Sequence, residues 1–535
     1  MKKLIALLLA LALVGGMVAC SSNAEVSKPA DETTQNDPAS QTGNVQNNDL
    51  EPIVLDYWYM NGVGEQEYTK QVEEKLNEWL STHEGYENIS IRLHPCNDYA
   101  TDLKLAFASG QQVDIISTYG SGGFVSHAQN EEIIPIDDLL AEYPEATAEL
   151  PTWLLDLGKM DGKTYVIPNY QQAASQNVFI FPKDYLDMTD YSVEDIHNLM
   201  VNKTPESIKD FLTTFVDQVR AGTGLDTKYA PYNPFETYFW MGPSNVELSI
   251  SGRGYLYWNT DTQALEFSMT NETMEQVYKM AAELREEGYL LPDSSADISN
   301  FAGPNMKNAE SLAFCNNWDV AASDEYNDRY SKMYGFETEV LVTDAVTYIP
   351  SSWAAEGLGI SATCENPEAA MAVITLLENS KYADFYNTLM YGLEGVHYTD
   401  NGDGTVTTLE FDAASGGGDC SYSYWRWVGG NSFNLKCNQA MSQKTLDFIE
   451  NDLHNGENTV YSPLMGFQFD RTSFETELSQ VASVISEYDM GFYYGDYLEN
   501  TEAKFAEFKE KLETAGLSKI LEEANRQAAE YISSK

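Results

Sequence analysis

Between Ile53 and Ser117 the chain reads strand, helix, strand, helix, strand, and that alternation constrains the fold more than any other feature. Ile53-Val-Leu-Asp-Tyr-Trp-Tyr59 is a strand opening into the loop Met60-Asn61-Gly62-Val63-Gly64. Val72, Leu76, Trp79 and Leu80 recur at helical spacing, with Glu73, Glu74, Lys75 and Glu78 on the other side. Ile89, Ile91 and Leu93 alternate with Ser90 and Arg92, a strand with one polar face. Tyr99, Leu103, Ala106 and Phe107 form a second helical face, which Gly110 ends because glycine adopts the left-handed C-cap conformation. Val113 to Ser117 is a short buried strand. This order specifies a parallel sheet covered by helices. The Gly-rich loop Gly120 to Gly123 then falls at a strand's carboxyl end, where open α/β sheets take their ligands.

Two phosphate-binding motifs nearly fit and fail. Counting from Gly120 and Gly122, the third glycine of a dinucleotide loop is replaced by Val125, too bulky for close helix packing. Ahead of Gly162-Lys163-Thr164, Gly158 stands one residue too close for a nucleotide-cradling loop. Met160-Asp161-Gly162-Lys163 is instead a hairpin turn, since Asp-Gly supplies the left-handed pair such a turn requires.

The amino-terminal end specifies export. Met1-Lys2-Lys3 is basic, Leu4 to Val14 is an unbroken apolar run, and small residues lead to Ala19-Cys20. The run is shorter than the roughly 20 residues of a spanning helix. Met17-Val18-Ala19-Cys20 resembles the bacterial lipobox, with Met17 in place of the usual Leu, and identifies Cys20 as the lipidation site; the alternative is an ordinary signal peptide with a chance Cys. Ser21 to Asn48 has almost nothing to bury and is a flexible tether.

The net charge of -52, from 31 Lys plus Arg against 83 Asp plus Glu, excludes nucleic-acid backbones and anionic lipid surfaces as partners. Beyond Cys20 the cysteines are Cys96, Cys315, Cys364, Cys420 and Cys437, an odd number. Cys420 and Cys437 could bridge a loop, but spacing alone does not show it, and buried free thiols are at least as good a reading. No Cys-x-x-Cys or His-x-x-x-His pair supports a metal site. Asp400-Asn-Gly-Asp-Gly404 places glycines where a calcium loop needs oxygen ligands, so it is a turn.

A second α/β unit starts at Tyr165-Val-Ile-Pro168, passes through Asn169-Tyr170-Gln171-Gln172 and continues with the strand Val178 to Phe181. Thr204-Pro205-Glu206 begins a helix carrying Ile208, Phe211, Leu212 and Phe215. Tyr229 to Trp258 is expected to be mostly loop with short strands, followed by a helix striped with Met274, Val277, Tyr278, Ala281 and Leu284. Ser311 to Trp318 is a buried strand delivering Asn316, Asn317 and Trp318 at its end; Gly357 to Ser361 is another. Asn366-Pro367-Glu368 is an N-cap ahead of Met371, Ile374 and Leu377. Leu498, Phe505, Phe508 and Leu512 stripe one closing helix, Gly516 breaks it, and Leu517, Ile520, Leu521, Ala524 and Ala528 stripe the next.

The helix ending Ala-Ser-Gly110, Val113-Asp-Ile-Ile, the Gly-rich loop and Ile134-Pro-Ile-Asp-Asp-Leu together resemble the first lobe of extracellular solute-binding proteins of ABC importers, the maltose-binding-like family 1. Gly162-Lys-Thr-Tyr-Val-Ile-Pro168, Phe314 to Trp318, and Gly359-Ile-Ser with Glu365-Asn-Pro-Glu-Ala extend the likeness. Tyr391-Gly-Leu-Glu-Gly-Val-His-Tyr398, Ser462-Pro-Leu-Met-Gly-Phe467, Ala515-Gly-Leu-Ser-Lys and Asn525-Arg-Gln are similar to a lipoprotein subgroup with a C-terminal domain of unknown function.

The resemblance implies an α/β, two-lobed periplasmic-binding-protein-like fold of type II, with helices packed on mixed sheets and a cleft between lobes. It divides the chain into a signal peptide (1–19), a tether (20–51), lobe 1 (52–167), lobe 2 (168–345), a return to lobe 1 (346–392) and a C-terminal region (393–535) packed on lobe 2. It implies a monomer that needs no cofactor, meets the membrane through its lipid anchor alone and delivers a carbohydrate, an oligosaccharide in particular, to ABC permease subunits from the extracytoplasmic face. A sugar offers apolar faces and a rim of hydroxyls, so it calls for aromatic and amide side chains, and this chain has 34 Tyr and 9 Trp. Trp318 matches the family's aromatic at the end of a buried second-lobe strand. The other ligand-binding candidates are Tyr59 and Asn61 after the first strand, Tyr119 and Ser121 in the first-lobe loop, Asn169 and Tyr170 at the first crossing, Trp353 before the return, Glu394 in the subgroup signature, and Trp425 in the aromatic cluster Tyr422 to Trp427. Core packing is the alternative for each. A secreted glycoside hydrolase and a surface glycan-binding adhesin are the competing functions; a hydrolase needs two carboxylates flanking the scissile bond.

Overall fold

The computed structural model describes residues 51–174, 178–227, 229–230, 246–251, 254–290, 314–316, 323–342, 347–350, 356–409, 420–438 and 441–534. The signal peptide with Cys20, the tether to residue 50, Trp318 and Trp353 lie outside them.

In the first lobe five strands form one sheet, in the order Ile89–Cys96, Ile53–Met60, Ile115–Ser117, Gly357–Ile360, Val166–Pro168. The first three run parallel and the last two joints are antiparallel, so the sheet is mixed. Helices Thr69–Thr82 and Tyr99–Ser109 cover it, burying Val72, Leu76 and Leu80 from one and Tyr99, Leu103 and Ala106 from the other. Gly110 caps the second helix at φ 70°, the left-handed position that only glycine takes without strain. Helix Pro367–Glu378 runs through the core with Ala369 to Glu378 all buried. Asn366 stands at its N-cap position, but its side chain accepts no hydrogen bond there; Pro367 in the first turn fixes the start instead. The Lys159–Met160 and Lys163–Thr164 strands pair across Asp161 (φ 52°) and Gly162 (φ 77°), the turn that Asp-Gly encodes.

The second lobe is built on the antiparallel sheet Phe314–Asn316, Val178–Pro182, Thr338–Val342. Its central strand shows the two-residue period of side chains: Val178 and Ile180 pack with Tyr326 and Tyr330, whereas Phe179 and Phe181 join the large second core. Helix Pro205–Thr223 begins with a capping box between Thr204 and Ser207. A meander of Val246–Ser251, Gly254–Asn259 and Ala264–Phe267 and the helix Glu272–Glu286 complete the same core.

The stretch after Leu393 divides between the cores. Tyr422, Tyr424 and Val428 belong to the first, and Leu464, Phe467 and the helices Glu475–Tyr493, Thr501–Ala515 and Leu517–Ser534 to the second. Leu498 is 44 % exposed and precedes the helix it was expected to stripe, because that helix starts only at Thr501. Three segments therefore pass between the cores. Two of them zip together as the parallel pair Thr347–Ile349 and Thr459–Tyr461. The fully buried Glu247 of the second lobe ties this pair down, accepting hydrogen bonds from the Ser462 hydroxyl (2.6 Å) and from the Tyr348 hydroxyl.

Candidate functional site

Where the segments cross, the two lobes enclose a cavity of about 460 Å³. Tyr119 enters it from the loop after strand Ile115–Ser117. That loop lies close against the first strand: a Cβ at Gly120 (φ 77°) would be 2.3 Å from the Met60 sulfur. Trp425 reaches the cavity across the other first-lobe loop, where a Cβ at Gly62 (φ 76°) would meet its ring at 2.8 Å. Beside it the Arg426 guanidinium lies 4.6 Å from the Trp427 ring centroid, a cation over an aromatic face. Tyr391, at the end of helix Ala383–Tyr391, donates its hydroxyl to the Lys436 carbonyl at 2.6 Å. Gln171 and Gln172 line the cavity from the first crossing, and Arg329 from helix Ser323–Tyr334 of the second lobe.

The sequence candidates separate. Tyr119 and Trp425 line the cavity. Tyr59 does not: it is fully buried, with its ring 5.1 Å from both Tyr57 and Tyr424, because the first strand is covered on both faces. Asn61 is 1 % exposed and builds the loop itself, accepting from the Gly64 amide (2.8 Å) and donating to the Gly64 carbonyl (2.8 Å). Ser121 is buried, donating to the Thr118 carbonyl and lying 2.8 Å from the His127 ring. Tyr170 packs its ring 4.5 Å from Phe433, behind the wall. Asn169 donates to the Arg426 carbonyl at 2.7 Å and thereby clasps the crossing to the aromatic cluster. Glu394 is exposed in the turn before Tyr398 and does not line the cavity. Of the other lining residues, Trp427 closes the Tyr422 to Trp427 cluster, and Phe433, Lys436 and Asn438 follow within eleven residues of it, so that cluster is the one sequence signal that points their way.

Buried polar groups gather around the crossings. The Asn169 Oδ1 and Gln171 Oε1 atoms are enclosed with no donor among the described residues, an arrangement that costs about 1–3 kcal/mol each unless another group supplies one. Burial raises the Glu356 carboxyl to about 7, partly offset by a hydrogen bond with the Thr118 side chain. Glu378, enclosed in the first core, is pushed well up by burial and then by Glu149.

His454 accepts the Ala173 amide at 2.9 Å, fully buried, and burial lowers it from 6.5 to about 4. The unfolded chain thus takes up a proton below about pH 6.5, which the folded one refuses until about 4. The stability from this group is complete above 6.5 and is lost as pH falls through 4, a change of about 3 kcal/mol. His454→Gln keeps an acceptor that does not titrate. Urea unfolding from pH 7 to 4 should show the native protein losing about 3 kcal/mol relative to this variant; parallel pH profiles would contradict the assignment.

Residues 463–533 match a family model described as a domain of unknown function (DUF3502). A "Carbohydrate ABC transporter substrate-binding protein" of Streptococcus pneumoniae serotype 4 (strain ATCC BAA-334 / TIGR4) is 24% identical over 179 residues, 33% of this chain and 34% of that protein, so the match spans about a third of its length. The crystal structure of the N-glycan transport solute binding protein (NgtS) from Streptococcus pneumoniae superposes with a TM-score of 0.67 at 17% identity, over 90% of this chain and 99% of that one. The Streptococcus pneumoniae substrate binding protein FusA in complex with kestose gives 0.56 at 15% identity, over 91% and 100%. An HMO-binding solute binding protein from Bifidobacterium longum infantis ATCC 15697 gives 0.60 at 16% identity, over 90% and 100%. The chain has the two-lobed α/β fold of the family 1-like solute-binding proteins and carries the DUF3502 domain at 463–533.

Proposed function

We propose that this protein is the substrate-binding component of an ABC importer, and that it captures a carbohydrate, specifically an oligosaccharide, in the cavity between its lobes. The observation that carries the reading is the wall itself, where Tyr119, Tyr391, Trp425, Trp427 and Phe433 supply rings and Gln171 and Asn438 supply amides. Rings cover the apolar faces of a sugar and amides meet its hydroxyls. The unmet Gln171 acceptor suits a hydroxyl donor. The proteins it superposes on, by their descriptions, transport N-glycans, bind kestose or bind HMO. Among the described residues no Asp or Glu lines the cavity, which gives the glycoside hydrolase alternative no carboxylate pair to start from. Three crossings give the lobes a common hinge, and a ligand that touches both shifts them toward the closed state. Solution scattering of the protein with a panel of oligosaccharides should show the radius of gyration fall with the one it binds; no compaction at saturation speaks against closure.

The finer part of the reading is the anchor. Acylated at Cys20, the protein is held at the extracytoplasmic face of the membrane as a monomer, and hands its ligand to the permease subunits. Two or more acyl chains hold a protein where one does not. Cys20→Ala should therefore release the protein into the medium, scored by fractionation and immunoblot, and unchanged retention would remove the lipobox assignment.

A further inference from the structure

We infer that Glu356 is a ligand-binding residue of this cavity, and that capture of a sugar hydroxyl by its carboxyl group displaces a proton to solvent. The inference rests on the carbohydrate reading above and deepens it. Glu356 stands where the second crossing enters the first-lobe sheet, one residue ahead of strand Gly357–Ile360. Two neighbours fix the backbone there: the Asn169 amide donates to the Glu356 carbonyl at 2.9 Å, and the Thr118 amide donates to the Gly357 carbonyl at 2.8 Å. Glu356 thus lies between the first crossing and the Gly-rich loop that carries Tyr119 into the cavity. Its Oε1 is beside that loop, 3.7 Å from where a Cβ on Gly123 would stand, and its charge acts on the Tyr119 hydroxyl. Its Oε2, like the Asn169 Oδ1 of the adjoining crossing, is enclosed with no hydrogen-bond partner among the described residues.

An enclosed carboxyl with an unused oxygen is poised between two forms. Ionised, it lacks the donors that a buried charge requires; protonated, it is tolerated. Burial accordingly holds this one at about 7, with the hydrogen bond from the Thr118 side chain pulling the other way. The titratable groups that face it are the Tyr119 hydroxyl from the Gly-rich loop and the Tyr99 hydroxyl from helix Tyr99–Ser109, both raised by burial and so uncharged near pH 7. A sugar seated against Tyr119 acts on this carboxyl in two opposed ways. Excluding water favours the acid, but Oε2 is enclosed already, so little hydration is left to remove. Donating a hydroxyl to the carboxylate favours the charged form, and hydrogen bonds to charged groups are the stronger kind. The second effect wins. The O–H bond of the acid breaks, its proton passes to the buffer, and the sugar O–H takes its place as the donor to the carboxylate. Affinity therefore rises with pH, because the acid form must give up its proton before it accepts from the sugar.

The test is calorimetry with a panel of neutral oligosaccharides, kestose, maltotriose, lacto-N-tetraose and chitotriose among them, carrying forward a member that binds. Titration at pH 6.5 in phosphate and in imidazole reads the proton directly, since the two buffers differ in their heat of protonation. The heats should differ for the native protein, and affinity should rise about tenfold from pH 5.5 to 8, the low end of what one hydrogen bond to a charged group contributes. Glu356→Gln, checked for folding by thermal melting, should give equal heats in both buffers, a flat profile over that range and about tenfold weaker binding than the native protein at pH 8. Glu378→Gln removes the other raised carboxyl, which sits in the first core near Glu149, and should leave the native difference between buffers intact. Equal heats for the native protein, a difference that survives Glu356→Gln, or one lost in Glu378→Gln each overturn the inference and leave the carbohydrate reading standing. Failure of every oligosaccharide to bind removes both. If Glu356→Gln does not fold, Glu356→Asp decides: it withdraws the acid by one methylene, so the midpoint of the pH profile must move, and an unmoved midpoint overturns the inference.

Discussion

Trp425→Ala lowers affinity for the bound oligosaccharide ten- to hundredfold, with a smaller effect on folding. The indole is only partly buried, borders the cavity and rests on Gly62. Removing it takes away one face of the sugar site, and the loss of a large side chain's burial is worth about 1.5–3 kcal/mol, which corresponds to that range of affinity. Gly62→Val tests the same geometry from the other side. Its Cβ would lie 2.8 Å from the ring, at a φ of 76° that a branched residue resists, so the ring must move although the tryptophan is intact. Both variants should lose binding together in calorimetry. A large drop in melting temperature with affinity unchanged would return Trp425 to the core.

The second large effect is on stability. Gly357 joins the second crossing to the central sheet, and a Cβ there would lie 2.1 Å from the Ile167 carbonyl oxygen and 2.8 Å from the Pro168 Cα. Both obstacles are backbone of a neighbouring strand, which no rotamer change relieves. Gly357→Ala should cost about 4 kcal/mol or more, at the severe end of single substitutions, and leave little folded protein. Gly402→Ala is the control: at φ 76° in the exposed hairpin turn it meets nothing within 4 Å, so it should cost only about 1 kcal/mol. Equal urea midpoints for the two variants would show that generic glycine strain, and not the contact with Ile167, sets the effect.

The first lobe was legible because its signals are local. Helix period, strand alternation, Gly110 and the Asp161-Gly162 turn each act within a few residues, and each element formed where its pattern lay. Leu498 was misplaced because apolar spacing ran past the true helix start at Thr501. The helix Glu475–Tyr493 carries Val481, Ile485, Tyr488 and Phe492 on its buried face with Asp489 beside them, a stripe that the sequence reading does not include. The site was harder to read because it is assembled from distant segments. Tyr59 lies in the last pleat of the strand Ile53–Met60 and Asn61 just after it, at the carboxyl end where open α/β sheets take their ligands, yet Tyr422 to Val428 folds over that end and buries them. That return from 367 residues downstream, where Tyr57 and Tyr424 meet hydroxyl to hydroxyl at 2.7 Å, has no local signature. The aromatic cluster was visible as composition, but which of its rings face the cavity is set by alternation along an irregular segment: Tyr422 and Tyr424 point inward, and Trp425 and Trp427 line the cavity.

The central claim is that the cavity walled by Tyr119, Tyr391, Trp425 and Trp427 binds a carbohydrate, and the most direct test is calorimetric titration of a broad oligosaccharide panel into the native protein and Trp425→Ala side by side. The account predicts a one-to-one complex of at least one oligosaccharide with the native protein, weakened tenfold or more in the variant. Equal affinity in both proteins, or no heat from any member of the panel, would contradict it.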